Sequence, residues 1–352
     1  MPRHHQLTPL VVQGGGGVTR RPRLIFSVDV EDWPQSVLDR SLPIGDYCAD
    51  NTRRILELLA EYGVRGTFFV LGKFAERHPG VVREIDAGGH EVACHGWGHE
   101  EVFRLGPRGF REDLRRATGL LADLSGRRPL GYRAPVFSIV RETLWALEML
   151  AEEGYSYDSS IYPFDNGRYG IGDWPIEATR VPLPGGQSIV EFPLTVRRMP
   201  GWPGRLRCMP GWPGRRRCRN KPTAKGGGRS PISGGWPLPN PGGWRLPTSG
   251  GGYARLLPGW LLRRWLAAEA RCRAVPPVFY CHPYELDPGE FRRLGLGLGA
   301  GMRQVLRMPL GRRLHQGLGR RGSEGKLRRI LAGFECVPFS SLAPVGGAAV
   351  VG

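Results

Sequence analysis

Long apolar runs are missing from this 352-residue chain. Its opening stretch, MPRHHQLTPLVVQGGGGVTRRPR, has one apolar run, Leu10 to Val12. That is too short for the core of a secretory signal. Nothing approaches the ~18 apolar residues of a membrane span. The expectation is a cytoplasmic protein with no transmembrane segment. Paired cysteines are missing too. The seven are Cys48, Cys94, Cys208, Cys218, Cys272, Cys281 and Cys336, an odd number with no CxxC. This argues against a disulfide framework or a zinc ribbon and for reduced thiols. Acids are absent from one long window: between Phe192 and Ala268 there are fifteen Lys/Arg and no Asp or Glu. The formal net charge of +18 therefore belongs to one segment, not to a basic surface spread over the chain. That weakens a nucleic-acid reading.

Outside that window the chain alternates strand and helix. RLIFSVDVED (23–32) reads as a buried strand ending in acids. NTRRILELLAEYGV follows as a helix, with Asn51 as its N-cap and Gly63 just past its end. RGTFFVLG, HEVACH, LGYRAPVFSI and YSYDSSIYP supply further strands, separated by helical stretches. Such alternation predicts parallel βαβ units, whose chemistry collects at the C-terminal ends of the strands.

The alternation stops near Val196. MPGWPGRLRC and MPGWPGRRRC form a ten-residue tandem repeat, and a Pro/Gly-rich tract follows. So much Pro and Gly suits neither helix interiors nor central strands. Residues 197–249 are expected to be a disordered Pro/Gly/Arg-rich insertion. Order is expected to resume at GGGYARLLPGWLLRRWLAAEA, with a strand in PPVFYCHPYELDP and a closing helix and strand in GKLRRILAGFECVPFSSL. The expected organisation is a flexible leader over 1–21, a single catalytic domain over 22–345 interrupted by the insertion, and a tail over 346–352.

Polar residues cluster at the ends of the apolar strands. In VACHGWGHEE, His95 and His99 stand four apart, a spacing that lets two imidazoles reach one ion if the turn brings them together. Asp29, Glu31 and Asp32 crowd the end of the first long strand, and buried carboxylates are costly unless paired or bound to metal. Two histidines and one carboxylate would make an open three-ligand site, with another carboxylate left as a general base. Arg133, in GYRAP, could orient that base. His282, in FYCHPYELD, could protonate a leaving group.

Taken in order, the acid cluster, HxxxH, Arg-x-Pro and His-Pro resemble the NodB-homology polysaccharide deacetylases (carbohydrate esterase family 4), and within them the subgroup of exopolysaccharide and exosortase loci. The stretches that carry the resemblance are FSVDVEDW, GTFFVLGKFAERHPGVVREIDAGGHEVACHGWGHE, GYRAPVFSI, GYSYDSSIYP, GGGYARLLP and FYCHPYELDP. The resemblance implies an α/β fold of the distorted, incomplete (β/α) barrel type. It implies removal of N-acetyl groups from amino sugars of a polysaccharide or oligosaccharide, with a divalent metal ion, zinc or else cobalt or nickel. By position, Asp29 would be the base, held by Arg133. His95 and His99 would be metal ligands, with Glu31 or Asp32 as the acidic ligand, and His282 the acid. A backbone N–H near Val136 would stabilise the oxyanion. Asp158 would bind substrate or tune a catalytic group, and Tyr253 would bind substrate. The sequence departs from the family at Gly96, usually Ser or Thr, and at Cys94, often Ser.

Three other readings stay open. One is a hydrolase of cyclic amides or ureides on the same scaffold. Another is a product inactivated by the insertion. The last is a single-strand nucleic-acid binder using Trp202, Trp212, Trp236 and Trp244 among the arginines, for which no recognisable module is present.

Overall fold

The structure is a computed structural model that describes residues 7–10, 21–165, 167, 169–199, 244–289 and 317–343. Twelve strands are described. In chain order they are β1 (Thr8–Pro9), β2 (Arg23–Val30), β3 (Thr67–Val70), β4 (Glu91–Cys94), β5 (Gly131–Tyr132), β6 (Tyr157–Asp158), β7 (Thr179–Pro182), β8 (Ser188–Glu191), β9 (Val196–Met199), β10 (Trp244–Pro247), β11 (Val278–Cys281) and β12 (Glu335–Val337). Ten of them form one sheet in the order β1-β7-β8-β6-β5-β4-β3-β2-β11, with β12 also on β2. From β8 to β11 every pairing is parallel, while β7 and β1 add an antiparallel edge.

The helices are α1 (Asp46–Glu61), α2 (Gly72–Arg77), α3 (Pro79–Ala87), α4 (Val102–Ser125), α5 (Trp145–Glu152), α6 (Gly251–Leu256), α7 (Gly259–Cys272) and α8 (Ser323–Gly333). None among the described residues is long and apolar enough to cross a membrane. The sheet curls into an unclosed barrel. Between β8 and β11 the gap is spanned by Thr195 and by Thr248 to Gly250. Thr248 N donates to Thr195 O, Thr195 Oγ1 accepts from Val278 N, and Tyr280 N donates to Ser249 O. The α/β incomplete-barrel expectation is met.

Strand alternation sorts the core into two layers. On β2, Leu24, Phe26, Val28 and Val30 face the helices, while Ile25 joins Phe69, Ala93 and Tyr280 on the inner face. Ser27 and Asp29 share that inner face by period. At the N-terminal strand ends Thr67 and Glu91 bond each other, while Asp29 brings charge inward near the C-terminal ends.

Three expectations need correction. First, α1 begins at Asp46 with Gly45 as its cap, so Asn51 lies inside the helix, not at its start. The helix extends earlier because IGDYCA packs Ile44, Cys48 and Ala49 into the core. Second, within the leader expected to be flexible, Thr8 and Pro9 pair with Arg180 and Thr179. Third, the edges of the expected insertion are strand: β9 and β10 pair antiparallel, Val196 with Pro247 through Met199 with Trp244. The tandem repeat beyond Met199, Trp202, Trp212 and Trp236 lie outside the described residues, as do Cys208 and Cys218. The five described cysteines are free thiols.

The GGG before α6 has a steric reason. Gly250 sits at φ +142°, where a Cβ would come 1.8 Å from the Tyr280 carbonyl oxygen. The backbone of α6 can approach β11 only without a side chain there.

Candidate metal centre and catalytic site

The parallel register brings the ends of six strands to one side of the sheet. Cys281 pairs with Val28, Cys94 with both Val70 and Tyr132, and Tyr132 with Asp158. The next residue of each strand then continues the ladder into the site: His95 N donates to Val70 O, Arg133 N to Cys94 O, and Ser159 N to Tyr132 O. Asp29, His95, Arg133 and His282 therefore meet at one mouth, although more than 250 residues separate the first from the last.

Glu31 follows β2 in a tight turn closed by Glu31 N donating to Asp29 O at 3.0 Å. The turn keeps its carboxylate inside. Glu31 Oε2 lies 2.5 Å from His99 Nε2 and 3.5 Å from His95 Nε2. These three ligand atoms all fall within 4.8 Å of one another, and all three residues are buried. His95 Nδ1 donates to the Arg133 carbonyl at 2.7 Å, which fixes the ring and leaves Nε2 as the lone-pair atom facing Glu31. One carboxylate and two Nε2 atoms, with one imidazole oriented from behind, fit a divalent cation that keeps open positions. Burial would push the Glu31 carboxyl up, but His99, His282 and His95 hold it well below the ordinary range.

Asp32 does not join this cluster. It is buried and accepts from the backbone N–H groups of Gln35 and Gly45, and burial pushes its carboxyl up to about 6. It caps the chain around Pro34 and the start of α1. The alternatives left open by DVED are thus separated: the turn turns Glu31 toward the histidines and sends Asp32 to the other side.

The HGWGH turn is braced from several sides. Gly72 N and Lys73 N donate to Gly96 O and Trp97 O, Gln35 Nε2 donates to Gly98 O, and Trp97 N donates to Asp113 Oδ2 at 2.9 Å. Gly96 holds φ +77°, and a Cβ there would meet that same Asp113 oxygen at 2.9 Å. A serine would be strained twice, which accounts for the glycine. His99 also adopts a positive φ, +65°. Left-handed backbone at a non-glycine costs about 1–3 kcal/mol and persists only where the surroundings impose it.

Beside the cluster, Arg133 is fully buried and its guanidinium is nearly saturated. Nη1 donates to Asp29 Oδ1 at 2.6 Å and to Ser27 Oγ at 2.9 Å, while Nε and Nη2 donate to Ser159 O and Oγ. Asp29 Oδ2 remains on the side of His282, 4.0 Å from its Nε2. His282 Nε2 also lies 3.5 Å from Glu31 Oε1. Its other nitrogen is 3.5 Å from Glu285 Oε1, and Glu285 is itself 3.4 Å from the buried Arg255. Tyr284 stacks on the His282 ring at 4.7 Å and donates its hydroxyl to Glu31. Burial alone would push the His282 imidazole down, but Glu285, Glu31 and Asp29 together push it up.

The two expected substrate contacts differ in exposure. Asp158 has no exposed surface and its oxygens are taken by Ser160, so it cannot touch a ligand. Tyr253 is partly exposed on α6, within electrostatic reach of Tyr162. Val136, after β5, holds a positive φ of +57° in a turn where Phe137 N and Ser138 N are taken by Ala134 O and Pro135 O. Glu285, Arg255, Ser159 and Asp113 were not singled out from sequence. Only Glu285, three residues after His282 on a proline-started turn, carried a local signal for its role.

Residues 41–155 match the polysaccharide deacetylase family, and residues 231–343 match a domain of unknown function, DUF3473. The chitooligosaccharide deacetylase of Sinorhizobium fredii is 38% identical over 140 residues, 40% of this chain and 58% of that protein. The peptidoglycan deacetylase-like protein FGM2 of Gibberella zeae is 28% identical over 213 residues, covering 54% of this chain and 62% of that protein. The peptidoglycan deacetylase of Helicobacter pylori is 32% identical over 118 residues, 34% of this chain and 39% of that protein. In each case the matched region spans less than two thirds of the relative.

Proposed function

We propose that this protein is a metal-dependent hydrolase that removes N-acetyl groups from amino sugars of a polysaccharide, in exopolysaccharide biosynthesis. The observation that carries the reading is one buried constellation at the strand ends. It joins Glu31, His95 and His99 to an Asp29–Arg133 ion pair, with His282 within 4.0 Å of Asp29. The match over 41–155 and the deacetylases among the relatives support the substrate class. The subgroup motifs, above all FYCHPYELDP, support the exopolysaccharide role.

A divalent ion held by Glu31, His95 and His99, with zinc the best fit to one carboxylate and two imidazoles, would supply Lewis-acid polarisation of the amide carbonyl and acidify a water. The remaining work falls to the chain. Arg133 anchors one oxygen of Asp29, so the other is aimed into the site as a general base. Asp29 takes a proton from water as the water oxygen bonds to the carbonyl carbon. The Val136 backbone N–H is the candidate donor to the resulting oxyanion. As the carbon–nitrogen bond breaks, His282 gives its proton to the amine nitrogen, which would otherwise leave as a strongly basic anion. Glu285 and Tyr284 hold the His282 ring for that transfer. Acetate and a free amino sugar result.

The test is acetate release from N-acetylglucosamine oligomers by the full chain. Acetate and new amine should form in equal amounts, stop on chelation and return on adding a divalent ion. Metal-loaded protein that releases no acetate from any N-acetylated glycan would refute the reading.

A further inference from the structure

Behind Arg133 lies a second pair of acids that the chemistry above does not use. Asp158 ends β6 and Glu191 ends β8, side by side in register on adjacent parallel strands. Neither has any exposed surface. Parallel register sets their side chains next to each other on one face of the sheet, where each acts on the other. Asp158 Oδ1 accepts from Ser160 Oγ at 2.5 Å and Oδ2 from Ser160 N at 3.2 Å. Glu191 Oε1 accepts from Ile161 N at 2.9 Å. Glu191 Oε2 is buried and has no hydrogen-bond partner among the described residues.

Two adjacent buried carboxyls cannot both be charged without a cation for each. Arg133 acts on them electrostatically, but its close pair is with Asp29. Among the described residues the Tyr132 phenol on β5, in register with Asp158, is a further titratable neighbour. Across on β7 the register neighbour of Glu191 is Thr179, which carries no charge, and α5, packed on β8, buries Ala146, Leu147, Met149 and Leu150. A hydrogen on Glu191 Oε2, donated to Asp158, satisfies the one oxygen otherwise left without a partner.

We propose that Asp158 and Glu191 share a single proton, and that the pair is a positioning device for Arg133. The connection is short. Asp158 fixes Ser160, Glu191 fixes Ile161, and Ser159, directly beside them, receives Arg133 through both its carbonyl and its hydroxyl. Ser160 Oγ also accepts from Ala134 N at 2.7 Å. Loss of the shared proton leaves two negative charges within electrostatic range of Arg133 and strains the Ser159–Ile161 turn that holds it.

Burial pushes both carboxyls up, and the neighbouring Asp158 charge adds to the rise at Glu191, which stands well above its ordinary value. A group raised on folding contributes stability that is complete below its unfolded value and is lost as pH climbs through its folded value. The loss therefore sets in above the ordinary carboxyl range and grows as pH rises toward the folded value. Glu191→Gln is a neutral isostere of the protonated acid and removes it.

The experiment is thermal unfolding of the full chain from about pH 6 to about pH 9, wild type beside E191Q and D158N. Groups common to all three cancel in the comparison. The wild-type Tm should fall toward high pH by about 3 °C or more beyond that of E191Q, with D158N flattened in the same way. Glu191→Ala, which keeps neither the shared hydrogen bond nor the Ile161 contact, should be less stable than E191Q at every pH. Parallel curves for wild type and E191Q would overturn the proposal. So would failure of E191Q to fold, because it mimics the proposed native protonation state. Neither metal nor turnover enters this readout, so its outcome is independent of the deacetylase reading.

Discussion

Asp29→Asn should lower kcat for acetate release by about 10²–10⁴-fold, the usual share of a general base. The substitution keeps the shape and can still accept from Arg133 Nη1, now 2.6 Å from Asp29 Oδ1. Asparagine cannot take a proton from water. The three metal-site residues are untouched, so bound metal should stay at the wild-type level, and KM should change little. That split separates a lost base from a damaged site. Turnover near that of the wild type would show that Asp29 is not the base.

Arg133→Met should be the most damaging single change to the fold around the site. It removes the partner of a carboxylate that is itself only 2% exposed. Breaking a buried pair from one side typically costs about 3–5 kcal/mol, because an uncompensated charge stays inside. Methionine keeps much of the volume over the Phe69 ring, 4.1 Å below the guanidinium, so the loss reports charge more than packing. Denaturant unfolding reads it directly. Adding Asp29→Asn to Arg133→Met should recover a large part of the loss, since no charge is then stranded. A cost under about 1 kcal/mol for Arg133→Met, or no recovery in the double variant, would contradict the pairing.

Much of this site is legible in the sequence. The apolar run RLIFSV ending in acids marks β2 because only a buried strand needs such a run. The strand ends then place HxxxH, Arg-x-Pro and His-Pro on one edge, because parallel sheets align the ends of their strands. The choice between Glu31 and Asp32 was not legible. It depends on a single turn, Glu31 N to Asp29 O, that the residue types do not dictate. Asp158 belongs by sequence to a motif beside the site. One register step sends it under the floor, against Glu191. Arg255 carried no local sign at all. It reaches Glu285 because Gly250 and Gly251 let α6 lie against β11, a tertiary fact. Asn51 looked like a helix cap because Asn commonly is one, but apolar packing of the turn before it extends the helix.

The central claim is that His95 and His99, with Glu31, hold a metal ion. The direct measurement is elemental analysis of the purified full chain, wild type beside a His95→Ala/His99→Ala variant. About one divalent ion per chain in the wild type, lost in the variant, is the predicted result. No ion in the wild type even after incubation with zinc or cobalt, or equal occupancy in both proteins, would contradict it.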